Sequence, residues 1–72
     1  MRVKIIKSTY SYPHLIEGHI VEAQLVDKGI HGDAFKGCAE ISGRILHQLA
    51  PNVFEDDDFM YYFNAGEVEY VD

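Results

Sequence analysis

The stretch GHIVEAQLVDKG, residues 18–29, alternates Val21, Ala23 and Leu25 with Glu22 and Gln24 and ends in Asp27 and Gly29. Residues two apart in an extended chain share a face, so this alternation predicts a strand with one apolar and one wet side. Asp and Gly supply turn chemistry and set where the strand stops. The clearest pattern in the chain therefore has period two, and the segments around it read the same way.

Upstream, RVKIIKS (residues 2–8) puts Val3 and Ile5 on one face of a first strand, with Arg2, Lys4 and Ile6 on the other. STYSYPHL follows. Ser8, Ser11 and Pro13 predict a surface loop there, carrying Tyr10 and Tyr12. Downstream, HGDAFKGCAEISG sets Phe35, Ala39 and Ile41 against Lys36 and Glu40, with a bend expected at Gly37. DFMYYF alternates Phe59, Tyr61 and Phe63 with Met60 and Tyr62. Aromatics at this density favour a strand, and the first three are expected in the core. After a turn at NAG, EVEYVD places Val68 and Tyr70 inward and Glu67 and Glu69 outward.

One segment departs from this period. Around SGRILHQLAPN, Ile41 just before it and Ile45, Leu46 and Leu49 within it suit one helical face, Ser42 suits a cap, and Pro51 lies just past the end. A short helix near residues 43–50 fits slightly better than a strand through GRILHQL, but periodicity alone does not arbitrate so short a run.

At 72 residues the chain makes one domain, spanning 1–72, with a core near the lower limit for independent folding. Its 47% hydrophobic and 25% charged residues leave no segment polar enough to predict disorder. Cys38 is the single cysteine, which rules out an internal disulfide and makes a reducing, cytoplasmic setting the expectation. After MRVK, the residues IIKSTYSYPH never become the apolar stretch of a signal peptide or membrane span, so a soluble, uncleaved protein is expected.

Charge is distributed unevenly. The net charge is −6. Arg2, Lys4 and Lys7 precede the first carboxylate, whereas seven carboxylates follow the last basic residue, Arg44. Pairing the first and last strands would set Arg2 and Lys4 opposite Glu67 and Glu69, which favours that pairing by roughly 0.2–1 kcal/mol per pair.

About five short antiparallel strands, a loop after the first and a break before the last resemble the layout of SH3-like barrel domains over the whole chain. STYSY is similar, at Tyr10 and Tyr12, to the ALYDY-type segment of that family, and NAGE stands where a turn of helix precedes the last strand. The resemblance implies a small β-barrel. The chain has no tryptophan, the residue that floors the polyproline groove of the peptide-binding members, so a proline-rich ligand is not implied. The compact acidic layout is also similar to that of accessory proteins of bacteriophages and other mobile elements.

Candidate chemistry is thin. His14, His19, His31, His47 and Cys38 form no CxxC, HxxxH or HExxH pattern, and EDDDF lacks the glycine and ligand register of a calcium loop, so no metal or other cofactor is expected. Cys38 lies in no nucleophile signature, and GIHGDAFKG is not a phosphate loop. A non-enzymatic role is expected. What remains is the acidic, aromatic C-terminal third. Met60 and Tyr62, on the outward parity, stand beside Asp56, Asp57 and Asp58, with Tyr10 and Tyr12 as further contributors to a partner-binding patch. Such a patch suits a larger protein with a basic surface, steered by the carboxylates.

The expected function is therefore a small acidic protein-interaction module. A DNA-mimic inhibitor using the carboxylates from Glu55 to Asp72 is one alternative. A weak nucleic-acid-binding barrel using Arg2, Lys4 and Lys7 is another, which the negative net charge disfavours. A homodimer would protect an exposed edge or aromatic patch.

Overall fold

The computed structural model describes residues 1–8, 10, 15–27 and 35–72. Along them run β1 (Arg2–Ile5), β2 (Ile20–Glu22), β3 (Gln24–Leu25), β4 (Ala39–Ser42), α1 (Gly43–Leu49), β5 (Met60–Phe63) and β6 (Val68–Tyr70). These form two three-stranded antiparallel sheets, ordered β2-β1-β6 and β3-β4-β5. The protein is mainly β, as the alternation predicts. The expected SH3-like barrel of about five strands is corrected to six strands, among the described residues, in two small sheets that do not close into a barrel.

The long strand read from residues 18–29 is divided at Ala23. Its amide donates to the Met1 carbonyl at 2.8 Å, extending the ladder in which Arg2 faces Glu22; from Gln24 onward the chain pairs instead with Glu40. One continuous segment thus serves both sheets. The change of partner upsets the parity: Val21, Ala23 and Val26 are buried, whereas Leu25, expected inside, is exposed.

β1 pairs with β6 antiparallel, with Lys4 opposite Glu69 as expected. The expected partner of Arg2 is corrected. The Asp72 carboxylate takes both the Arg2 backbone amide and its Nε, at 2.8 and 2.9 Å, and these contacts hold its pKa below the ordinary aspartate value. Glu67 is buried rather than outward. Its carbonyl accepts from the amides of Ile6 and Lys7, and its carboxylate accepts from the Asn64 amide, so its polar groups are satisfied inside the turn. Tyr70, expected inside, is exposed near the end of its strand.

The core lies between the sheets. Val3, Ile5, Val21 and Val68 from one meet Ala39, Ile41 and Phe63 from the other, with Leu46 of α1, Ile16 and Phe54 filling the ends. Removing a side chain of this size from water contributes roughly 1.5–3 kcal/mol. One aromatic expectation is reversed, and a phenylalanine that the alternation does not single out lies in the core instead. Phe59 precedes β5 and is 59% exposed, while Phe54, in the connection after α1, is 1% exposed and meets Tyr61 edge-on with ring centroids 5.1 Å apart. Tyr61 is half-buried against the core.

Residues 43–49 are helical, which decides the open reading of that segment. Ser42 caps the helix, its hydroxyl accepting from the Arg44 amide, and the Ala50 amide closes the far end on the Leu46 carbonyl. Beyond it, His47 Nδ1 donates to the Phe54 carbonyl at 2.7 Å, tying the helix to the connection that places Phe54. Gly43 starts the helix at a close approach. An added Cβ there would lie 2.6 Å from the Phe59 carbonyl oxygen and 2.7 Å from that of Asp56. At Gly37 the chain turns with φ +86°, a conformation glycine adopts without strain, and this is the expected bend ahead of β4.

Candidate functional site

On the outer face of the β3-β4-β5 sheet, Gln24 lies opposite Glu40 and Glu40 opposite Tyr62, making one row across three strands. Ser42 and Met60 form the next row. Their even spacing along each strand turns these side chains away from the core residues Ala39, Ile41 and Phe63. Glu22 and Ile45 complete an open groove of about 220 Å³, with Ala23 and Met60 also contributing apolar surface.

Tyr62 borders this row. Its ring stacks on Phe35, with centroids 4.2 Å apart and planes 16° from parallel. Phe35 therefore packs on the outer face instead of continuing the inward face expected of it. Partial burial, then the hydrogen bond from the phenol to Glu40 and that carboxylate's negative charge, raise the Tyr62 pKa above its ordinary value. A raised value in the folded state favours the neutral phenol, so its stabilising contribution is complete below the unfolded pKa. It is lost as pH rises through the folded one. We expect Glu40→Gln to bring the Tyr62 ionisation midpoint partway back toward that of free tyrosine, read by absorbance titration against a Tyr62→Phe control. An unchanged midpoint would show that Glu40 does not act on the phenol.

Tyr10 lies at the same strand. Its hydroxyl donates to the Tyr62 carbonyl at 2.9 Å, and its ring meets Tyr61 and Phe63 edge-on, with centroids 5.2 and 5.3 Å away. Much of that ring is thus spent clasping β5 from the side of its inward rings. Asp56, Asp57 and Asp58 are exposed in the loop before β5, and the Asp58 amide donates to the Asp56 carboxylate at 2.9 Å. That turn brings the three carboxylates within 4.8 Å of one another. Because the Asp56 and Phe59 carbonyls lie over Gly43, the acidic loop stands at the Ser42 and Met60 end of the groove. Tyr12 lies outside the described residues, as do His14 and His31.

The structure thus joins Met60 and Tyr62 on one face, sets the acidic loop at its end and puts Tyr10 at its edge. It adds Glu22, Gln24, Glu40, Ser42 and Ile45, which sequence reasoning did not collect into a site. The outward parity of Glu22, Gln24 and Glu40 was visible. Their adjacency was not, because it depends on which strands pair.

Cys38 is buried and its thiol donates to Asn64 Oδ1 at 3.6 Å; neither Cys38 nor His47 lines the groove. Among the described residues no helix is long and apolar enough to cross a membrane. In comparisons with family models, curated proteins and solved structures, nothing matches the chain.

Proposed function

We propose that this chain is a non-enzymatic protein-interaction module that docks onto a larger protein with a basic surface. One observation carries the reading. Phe59 and Met60 are 59% and 41% exposed directly after three exposed aspartates, so a small domain spends large apolar side chains on its surface beside concentrated negative charge. An apolar centre with a charged rim is the composition of a docking surface, in which the carboxylates speed encounter with a cationic partner.

The geometry favours this over the nucleic-acid readings. The row of carboxylates needed to imitate phosphates is interrupted, since Glu67 is buried and Asp72 is paired with Arg2. The same ion pair engages one of the three N-terminal cations needed to bind a nucleic acid, and Lys4 faces Glu69. As to fold, the pairing of β1 with β6 and a continuous segment that supplies a strand to each sheet support an SH3-like layout, and the proposal extends to an accessory role of the kind phages encode.

The test is capture from a lysate of the source organism at moderate salt. We expect a specific protein to be retained by the native chain and lost when Asp56, Asp57 and Asp58 are changed to lysine or Phe59 to serine, with added DNA failing to displace it. Retention unaffected by any of these changes would remove the acidic and aromatic surface from the account. Displacement by DNA at the same site would transfer support to the mimic reading.

A further inference from the structure

We infer that the groove on the outer face of the β3-β4-β5 sheet receives an arginine side chain presented by an extended segment of the protein partner. The inference rests on the interaction-module reading and names the chemistry its surface recognises. Glu22 and Glu40 both line the groove, while Ala23, Ile45 and Met60 supply apolar surface between polar side chains. An open space of about 220 Å³ has room for a long side chain rather than a folded element.

These features match the two halves of arginine. Its methylene stem packs on apolar surface while the charged head stays near water, and the guanidinium fork bonds well to carboxylates and to carbonyl or hydroxyl acceptors. Gln24 and Ser42 line the same groove and supply acceptors of the second kind. Glu22 already attracts a cation: its carboxylate lies 3.6 Å from the Met1 ammonium, with the glutamate side chain 68% exposed. A solvated pair at that separation is weak and is readily exchanged for a better-fitting cation. The phenol of Tyr62 occupies only part of the hydrogen-bonding capacity of Glu40, whose two oxygens offer about four acceptor positions. A phosphate-bearing ligand is disfavoured by the same carboxylates.

The segment's backbone would then run past Met60 toward the acidic loop, where further basic residues meet Asp56, Asp57 and Asp58. The groove and the loop are thus two parts of one surface, the first reading a single side chain and the second net charge.

Titration of the isotope-labelled chain with a short, end-blocked peptide bearing one central arginine tests this directly, with norleucine in place of arginine as the control. The expected result is amide shifts concentrated at Glu22, Gln24, Glu40, Ser42 and Met60, with the norleucine peptide binding at least several-fold more weakly. The double variant Glu22→Gln and Glu40→Gln should weaken the arginine peptide roughly tenfold, as loss of charge-assisted hydrogen bonds implies. Met60→Lys, at an exposed position, should block the groove with a tethered cation and abolish those shifts without unfolding the chain. Shifts confined to residues 56–59, equal binding of the norleucine peptide, or no binding would each overturn the groove assignment. None of these would touch the module reading if lysate capture still depended on Asp56, Asp57 and Asp58; loss of that dependence would remove both.

Discussion

We expect Phe54→Ala to lower the stability of the protein by about 3–5 kcal/mol, while Phe59→Ala changes it by no more than about 0.5 kcal/mol. The contrast follows from position, since both are phenylalanines in the same connection between α1 and β5. Phe54 is 1% exposed and Phe59 is 59% exposed. Emptying the Phe54 site removes its transfer free energy and leaves a cavity against Leu46 and Tyr61, a combination that costs about 3–5 kcal/mol. A domain of this size has only about 4–11 kcal/mol to lose, at 0.05–0.15 kcal/mol per residue. Urea denaturation followed by far-ultraviolet circular dichroism gives both values. Equal losses at the two positions would mean that Phe59 packs inward in solution, and would withdraw the exposed aromatic from the proposed docking surface.

At Gly43 the two applicable rules have opposite signs, which makes the position informative. Helix propensity favours alanine over glycine in a helix by roughly 0.5–1 kcal/mol. Contact geometry opposes it: the added carbon would meet two backbone oxygens at 2.6 and 2.7 Å, and the Gly43 amide already donates to one of them, the Phe59 carbonyl, at 2.7 Å. Backbone atoms held by such a bond do not step aside as a flexible side chain would. Overpacking of this kind typically costs 1–3 kcal/mol, so after the propensity gain the net expectation for Gly43→Ala is a loss of about 1 kcal/mol, with valine worse. The urea midpoint reads the sign. A stabilised variant would show that the acidic loop lifts away easily, and that its position beside Met60 is not fixed by the helix start.

How far the sequence anticipates this structure depends on whether a residue's place follows from its neighbours in the chain. Val3 with Ile5 and Ala39 with Ile41 are each buried where alternation puts them, because each pair lies within one strand of one sheet. Leu25 is misplaced by alternation because its strand changes partner at Ala23, and period-two reasoning assumes one partner throughout. Phe59 is misplaced because β5 starts at Met60, so the alternation was extended one residue into a loop held over Gly43. Phe54 carries no periodic signal at all; Pro51 ends the helix before it, and the connection is held by the Phe54 amide on the Ala50 carbonyl and by the His47 bond to the Phe54 carbonyl.

The candidate site divides the same way. The outward position of Met60 and Tyr62 was legible from parity, whereas the meeting of Glu22 with Glu40 depends on a crossing between sheets that no local pattern encodes.

That crossing also orders the events of folding. β4 and β5 are joined through α1 and pair over a short span of chain, but β1 finds β6 only by bringing together residues about 65 positions apart. The entropy of closing so large a loop must be met before its contacts give anything back, so the distant pairing is a slow step. The single segment 20–25 supplies one strand to each sheet, and neither sheet is complete without it. The two halves of the molecule should therefore melt in a single transition, and the amides of β1 and β4 should exchange with solvent through the same global opening.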